Sequence, residues 1–183
     1  MKRFLILFFL LIFQQSFSQS IFVCRNGEVT FFSSAPVEDI EATSKSMNSI
    51  LNTSNNEIVF VVPMTSFKFQ KGLMQEHFNE KYVESDKFPN ATYKGKIAET
   101  IDYSKDGEYT INSEGTLTIH GVEKPRKETG KLVISNGEIR LQSEFSVAVD
   151  DHKIEIPQLM MQNIADTVKV NFVAKYSPYK KEK

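Results

Sequence analysis

Long stretches of this chain alternate apolar and polar residues, and a period of two is compatible only with extended strands that keep one face dry. In the longest stretch Tyr109, Ile111, Leu117 and Ile119 share one phase, while Thr110, Asn112, Glu114, Thr116, Thr118 and His120 share the other. Ser113 and Gly115 interrupt the apolar phase and are expected to mark a bend or bulge. The pattern returns with Ile139, Leu141, Phe145, Val147 and Val149 set against Arg140, Gln142, Glu144 and Ser146. It returns again with Val168, Val170, Phe172, Ala174 and Tyr176 set against Thr167, Lys169, Asn171 and Lys175. Strands of this length offer long exposed edges unless the sheet closes on itself.

Further strands are expected at Ile21–Cys24, Glu28–Ser33, Ile58–Val62, Ala91–Ile97 and Lys131–Ser135. Asn26-Gly27, Asp106-Gly107 and Asn136-Gly137 have the composition of two-residue hairpin turns, which join antiparallel neighbours. About eight strands in chain order define an all-β, antiparallel, up-and-down barrel, with a sandwich as the alternative. One segment departs from the pattern: Leu73, Met74, His77, Phe78 and Tyr82 recur at helical spacing, so Lys71–Val83 is expected to form an amphipathic helix that caps the sheet. Glu38–Leu51 is open between a helix and an irregular strand.

The N-terminus sets the expected compartment. Lys2 and Arg3 precede an unbroken apolar run, Phe4–Phe13, that is too short to span a bilayer, and Ser16 and Ser18 supply a small-x-small cleavage site. Met1–Ser18 is therefore expected to be a removable signal peptide, with residues 19–183 forming one domain that is periplasmic or secreted. Loss of Lys2 and Arg3 takes the formal net charge from −1 to −3, which argues against a nucleic-acid partner. No later stretch is apolar enough for a membrane-spanning helix. The only cysteine, Cys24, excludes an intramolecular disulfide, and Val23 before it fits poorly with lipidation.

Chemistry-bearing residues do not assemble in the sequence. His77, His120 and His152 lie on separate elements without zinc-site spacing, and Asp150 and Asp151 would face opposite ways if extended. Asp102–Gly107 opens like a calcium loop, but Ser113 occupies its twelfth position where an acid is needed. No catalytic residue, metal site or cofactor is expected.

Three segments carry a family resemblance: His77–Ile97 (HFNEKYVESDKFPNATYKGKI), Gly115–Pro125 (GTLTIHGVEKP) and Phe145–Pro157 (FSVAVDDHKIEIP). In this order they resemble the YceI-like family. The resemblance implies a lipocalin-like barrel with one helix, exported to the periplasm, whose interior holds a long isoprenoid or related lipid chain. The ligand-contacting wall is then expected at Tyr109, Ile111, Leu117, Ile119, Leu141, Phe145, Val147, Val170 and Phe172, with Phe78 from the helix. In this reading the inward polar groups are only Tyr, Ser and Gly, so the protein is expected to bind and not to catalyse. The alternatives are an enzyme acting on a bound lipid and a small outer-membrane barrel; the oligomeric state is open.

The exported protein is expected to begin at Gln19, and an intact mass that retains Met1 would remove the signal-peptide assignment.

Overall fold

Nine strands form a single antiparallel sheet in the computed structural model, which describes residues 20–158 and 162–180. The expected signal peptide lies outside the described residues. The strands are β1 (Ile21–Ser34), β2 (Asp39–Asn52), β3 (Glu57–Pro63), β4 (Lys68–Phe69), β5 (Asn90–Ile97), β6 (Gly107–Ile119), β7 (Val122–Ser135), β8 (Glu138–Ala148) and β9 (Thr167–Pro178). Each long strand pairs with the next long one, and β1 pairs with both β2 and β9, so the sheet closes into an eight-stranded up-and-down barrel. The two-residue β4 adds to β2 at Ala42 and Thr43.

Hairpin chemistry explains two of the connections. Asn136 and Gly137 both adopt positive φ (52° and 77°), as do His120 and Gly121 (51° and 71°), which is the backbone that matches the twist of paired strands. The other two expected hairpin turns are corrected. Asp106-Gly107 ends a longer loop after β5, in which the Asp106 carboxylate accepts the Asn136 backbone N–H at 3.1 Å. Asn26-Gly27 lies inside β1 as a bulge: Cys24 pairs with Ser49 but Gly27 with Met47, and the register is restored when Val29 meets Ser44.

These register shifts change which residues face inward. Cys24 is buried before the bulge and Gly27, Val29 and Ser33 after it, while β2 switches from Ala42 and Ser44 to Met47, Ser49 and Leu51. The phase slip hides both strands from a period-two pattern. It is why β1 reads as two short runs and why Glu38–Leu51, a strand throughout most of its length, reads as ambiguous. The expected bend at Ser113 and Gly115 is also corrected, because β6 keeps one register with β7 from Gly107 to Ile119. Gly115 is small for a different reason: a Cβ there would come within 2.3 Å of the Lys94 carbonyl oxygen on β5.

One end of the barrel is sealed by side chains. Leu51, Ile58, Ile97, Leu132, Ile139 and Tyr176 are fully buried there. The Tyr176 hydroxyl lies 2.6 Å from Ser49 Oγ, which itself donates to the Val59 carbonyl oxygen at 2.8 Å. Burial pushes the Tyr176 phenol far above its usual range, so it remains a neutral donor.

The opposite end carries the helix and the long β8–β9 connection. Helix α1 (Gly72–His77) runs directly into one π-helical turn, Phe78–Tyr82, so the helical stretch is close to that expected. At this rim the His120 ring lies 3.0 Å from the Glu84 carboxylate, 3.2 Å from the His152 carbonyl oxygen and edge-on to Phe88 at 4.5 Å. His152 is buried, and its Nδ1 lies 3.1 Å from the Val122 carbonyl oxygen. The Glu84 carboxyl is held below its usual range, first by the Lys87 ammonium and then by His120. The three resemblance segments therefore meet at one rim and tie the helical cap, the β6–β7 hairpin and the turn after β8 together.

Two outcomes follow from these contacts. Tyr176→Phe removes a hydroxyl from a dry site and is expected to lower unfolding free energy by about 1–2 kcal/mol in urea titration. Burial holds the His152 pKa below its ordinary 6.5, so the native state keeps the ring neutral. As pH falls through 6.5 the unfolded chain takes up a proton that the native chain refuses, and stability declines toward the depressed native value. The difference in stability between wild type and His152→Asn is expected to shift against wild type as pH falls through this window; parallel curves would assign the acid sensitivity elsewhere.

Candidate functional site

Between the sealed end and the helical cap lies a cavity of about 300 Å³. Its walls come from every long strand, because alternation sends every second side chain of each strand inward. Ile111, Leu117 and Ile119 of β6 line it, as do Leu141, Phe145 and Val147 of β8, Val170 and Phe172 of β9, and Phe78 of the cap. Tyr109 is the exception among the expected wall residues. It lies at the level of Leu132 on β7 and packs against the core at the sealed end, below the floor of the cavity.

The cap is aromatic. Phe78 stacks on Phe31 with ring centroids 5.5 Å apart and meets Phe67 and Phe69 at 5.7 and 5.0 Å. Such clusters bury much apolar area while keeping ring geometry specific. Ile154, Ile156 and Ile164 of the β8–β9 connection complete the cover. That connection is fastened to β1 by the Ala165 backbone N–H donating to Ser33 Oγ at 2.9 Å and by the Val37 N–H donating to the Gln162 carbonyl at 3.0 Å.

The wall is not uniformly apolar. Tyr93 of β5 and Ser113 of β6 share a hydroxyl–hydroxyl hydrogen bond of 2.6 Å, and burial pushes the Tyr93 phenol up. Arg126 and Glu128 of β7 also line the cavity, and Arg126 Nε donates to Glu128 Oε1 at 2.7 Å. The expectation that inward polar groups are only Tyr, Ser and Gly is thus corrected. Glu123–Lys131 carries charge in both phases, so residues 122–130 have no apolar alternation to read, and β7 extends well beyond the expected Lys131–Ser135.

Charge on β7 coincides with a break in the wall. The β7–β8 ladder runs only from Ser135↔Glu138 to Lys131↔Gln142; beyond it, among the described residues, the two strands share no backbone pairing. Side chains bridge the gap instead: Ser143 Oγ donates to the Thr129 carbonyl at 2.6 Å, and Arg126 Nη2 donates to the Ser146 carbonyl at 2.7 Å. The Arg126 guanidinium also lies 5.7 Å from the centre of the Phe145 ring. Pro125 shares the strand phase of Thr129, whose carbonyl faces the gap, so the missing N–H of proline falls on the unpaired edge where a donor is not needed.

Chemically, the cavity can hold an apolar chain beside a small polar patch. Among the described residues no three His, Cys, Asp or Glu side chains gather as metal ligands. His77 reaches the cavity while His120 and His152 stay at the rim. The Asp102 carboxylate is engaged locally by the Ser104 backbone N–H at 3.1 Å and by Lys105 at 3.1 Å. Cys24 is buried in the core and burial raises its thiol pKa.

Solved structures share this architecture at low sequence identity. A polyisoprenoid binding domain from Saccharophagus degradans, implicated in plant cell wall breakdown, superposes with a TM-score of 0.74 at 15% identity, covering 88% of this chain and 99% of that one. BcnA from Burkholderia cenocepacia superposes with a TM-score of 0.70 at 13% identity, covering 82% of this chain and 96% of its own. The YCEI protein of Campylobacter jejuni gives a TM-score of 0.60 at 15% identity, covering 79% and 88%. No curated protein matches the sequence. The YceI-like domain family itself matches residues 20–176, from the first strand to the last, and the chain belongs to that family.

Proposed function

We propose that this protein is an exported, non-enzymatic carrier that holds a long apolar, isoprenoid-like chain inside its barrel. The observation that carries this reading is the cavity: a space of about 300 Å³ walled by Leu, Ile, Val and Phe side chains, sealed at one end and covered by an aromatic cap at the other. Removing an apolar chain from water contributes about 0.8 kcal/mol per buried methylene, so such a pocket gains affinity with each carbon it takes in. The Saccharophagus domain with the same fold is a polyisoprenoid binding domain, which supports the ligand class.

Carriage is favoured over catalysis by the way the polar groups on β5, β6 and β7 pair within the wall. Arg126 is paired with Glu128 and with a β8 carbonyl, and Tyr93 with Ser113. A small outer-membrane barrel fits poorly. Such a barrel turns an apolar band outward, whereas here the outer positions of β6 and β7 carry ion pairs, Lys127–Glu114 and Lys131–Glu108, each at 2.7 Å. Among the described residues no helix is long and apolar enough to cross a membrane. Export rests on the signal-peptide reading of Met1–Ser18.

Lipid extracted from protein purified without detergent is the direct test. Phe172→Leu, which opens the wall, and Leu141→Phe, which fills it, are expected to shift the chain lengths recovered in opposite directions, at a cost in stability of no more than about 1–3 kcal/mol. Lys169→Ala and Asn171→Ala change the outer face and should leave the profile as in wild type. Absence of co-purifying lipid, together with failure to take up a prenyl chain in vitro, would remove the carrier reading.

A further inference from the structure

The seam between β7 and β8 places the strongest polar groups of the wall where the barrel is least closed. Arg126 sits five positions along β7 from Gly121, about 16 Å from the hairpin at roughly 3.3 Å per residue, and therefore deep in the wall. Its side chain and that of Glu128 are only 23% and 21% exposed. Glu128 lies opposite Ser113 in the β6–β7 register, which sets the Tyr93–Ser113 hydroxyls beside the ion pair. Four polar side chains thus meet in one part of the wall.

An ion pair in such a wall is expensive to desolvate unless its remaining donors and acceptors are also met. The bonds to Glu128 and Ser146 use Nε and Nη2 of Arg126 and Oε1 of Glu128. Among the described residues Nη1 of Arg126 and Oε2 of Glu128 make no hydrogen bond, so one donor group and one acceptor remain for a ligand. The charge of the patch decides what kind of ligand group that is. An arginine alone would recognise phosphate or carboxylate. Here the Glu128 carboxylate cancels it, and a second anion brought to the same place would meet Glu128 with little water between them.

Resting on the carrier reading above, we propose that the polar end of the bound chain docks at the β7–β8 seam, and that this end is an uncharged hydroxyl or carbonyl group rather than a phosphate. A hydroxyl head group accepts from Arg126 and donates to Glu128 in the gap between the strands, a carbonyl accepts from Arg126 alone, and the tail lies against Phe145, Val170 and Phe172.

Three ligands with one chain length separate the possibilities: farnesol, farnesyl diphosphate and the hydrocarbon farnesene. Wild type is expected to bind farnesol at least about tenfold more tightly than farnesyl diphosphate, in line with the penalties measured for misplaced charges at close polar contacts. Glu128→Gln keeps the size and a hydrogen-bonding group while removing the negative charge. It should raise diphosphate affinity by about tenfold or more and change farnesene binding little. Arg126→Gln should weaken farnesol relative to farnesene. Thermal melts of each variant exclude a general loss of fold, and Arg126→Lys provides a second variant that keeps the pair if Arg126→Gln unfolds. Equal wild-type affinity for farnesol and the diphosphate, or an unchanged ligand order in Glu128→Gln, would make the pair a structural bridge and overturn the proposal while farnesene binding left the carrier reading intact. Failure of wild type to bind any of the three would overturn both.

Discussion

Closure of the sheet through β1 and β2 is the constraint on which the other features depend. Once β1 pairs with β9 on one side and β2 on the other, every long strand has two neighbours and a single interior is defined. The cost of fitting β1 between two partners is visible in the bulge at Asn26-Gly27 and in the compensating shift on β2. Each bulge reverses the inward phase, so the buried residues of these strands change from even to odd positions partway along. The reversal lets Cys24 and Leu51 fill the sealed half while Val29, Phe31, Ser33 and Met47 reach the cavity.

The two halves of the interior are stabilised differently. At the sealed end large aliphatic side chains and the Tyr176–Ser49 hydrogen bond occupy the space, and a polar pair of this kind is tolerated because both partners are satisfied. Above it several inward positions are small: Ser113 and Gly115 on β6, Gly130 on β7 and Ser143 on β8. A Cβ at Gly130 would lie 3.0 Å from the Gln142 carbonyl, where the β7–β8 ladder ends. The cavity is therefore a consequence of local side-chain size as much as of barrel closure, which by itself leaves room only for side chains or one small ligand in eight strands.

At the rim, motif residues serve architecture. Glu84, Phe88, His120 and His152 come from the three segments that carry the family resemblance, and they bond to one another across the barrel end and not into the cavity. The histidines thus position the cap and the hairpin. Among them only His77, on α1, borders the cavity.

Strand identity in β6, β8 and β9 was legible because each keeps one phase: the walls formed by Ile111, Leu117, Phe145 and Phe172 follow from a period of two with no long-range information. The helical cap was legible for the same reason, through its three- and four-residue spacing. Asn136-Gly137 announced its hairpin because positive φ at both positions is a local property of those residues. What the local pattern could not contain was pairing. The bulges in β1 and β2 arise from fitting two strands side by side, Tyr109 lies below the cavity floor because of its level in the closed barrel, and Arg126 and Glu128 reach the wall because β7 carries charges on both faces. Sequence alone therefore determined which strands have a dry side. Only tertiary structure decided where that dry side is filled, where it is hollow and where it is polar, because those outcomes depend on which side chains from separate strands arrive at the same height.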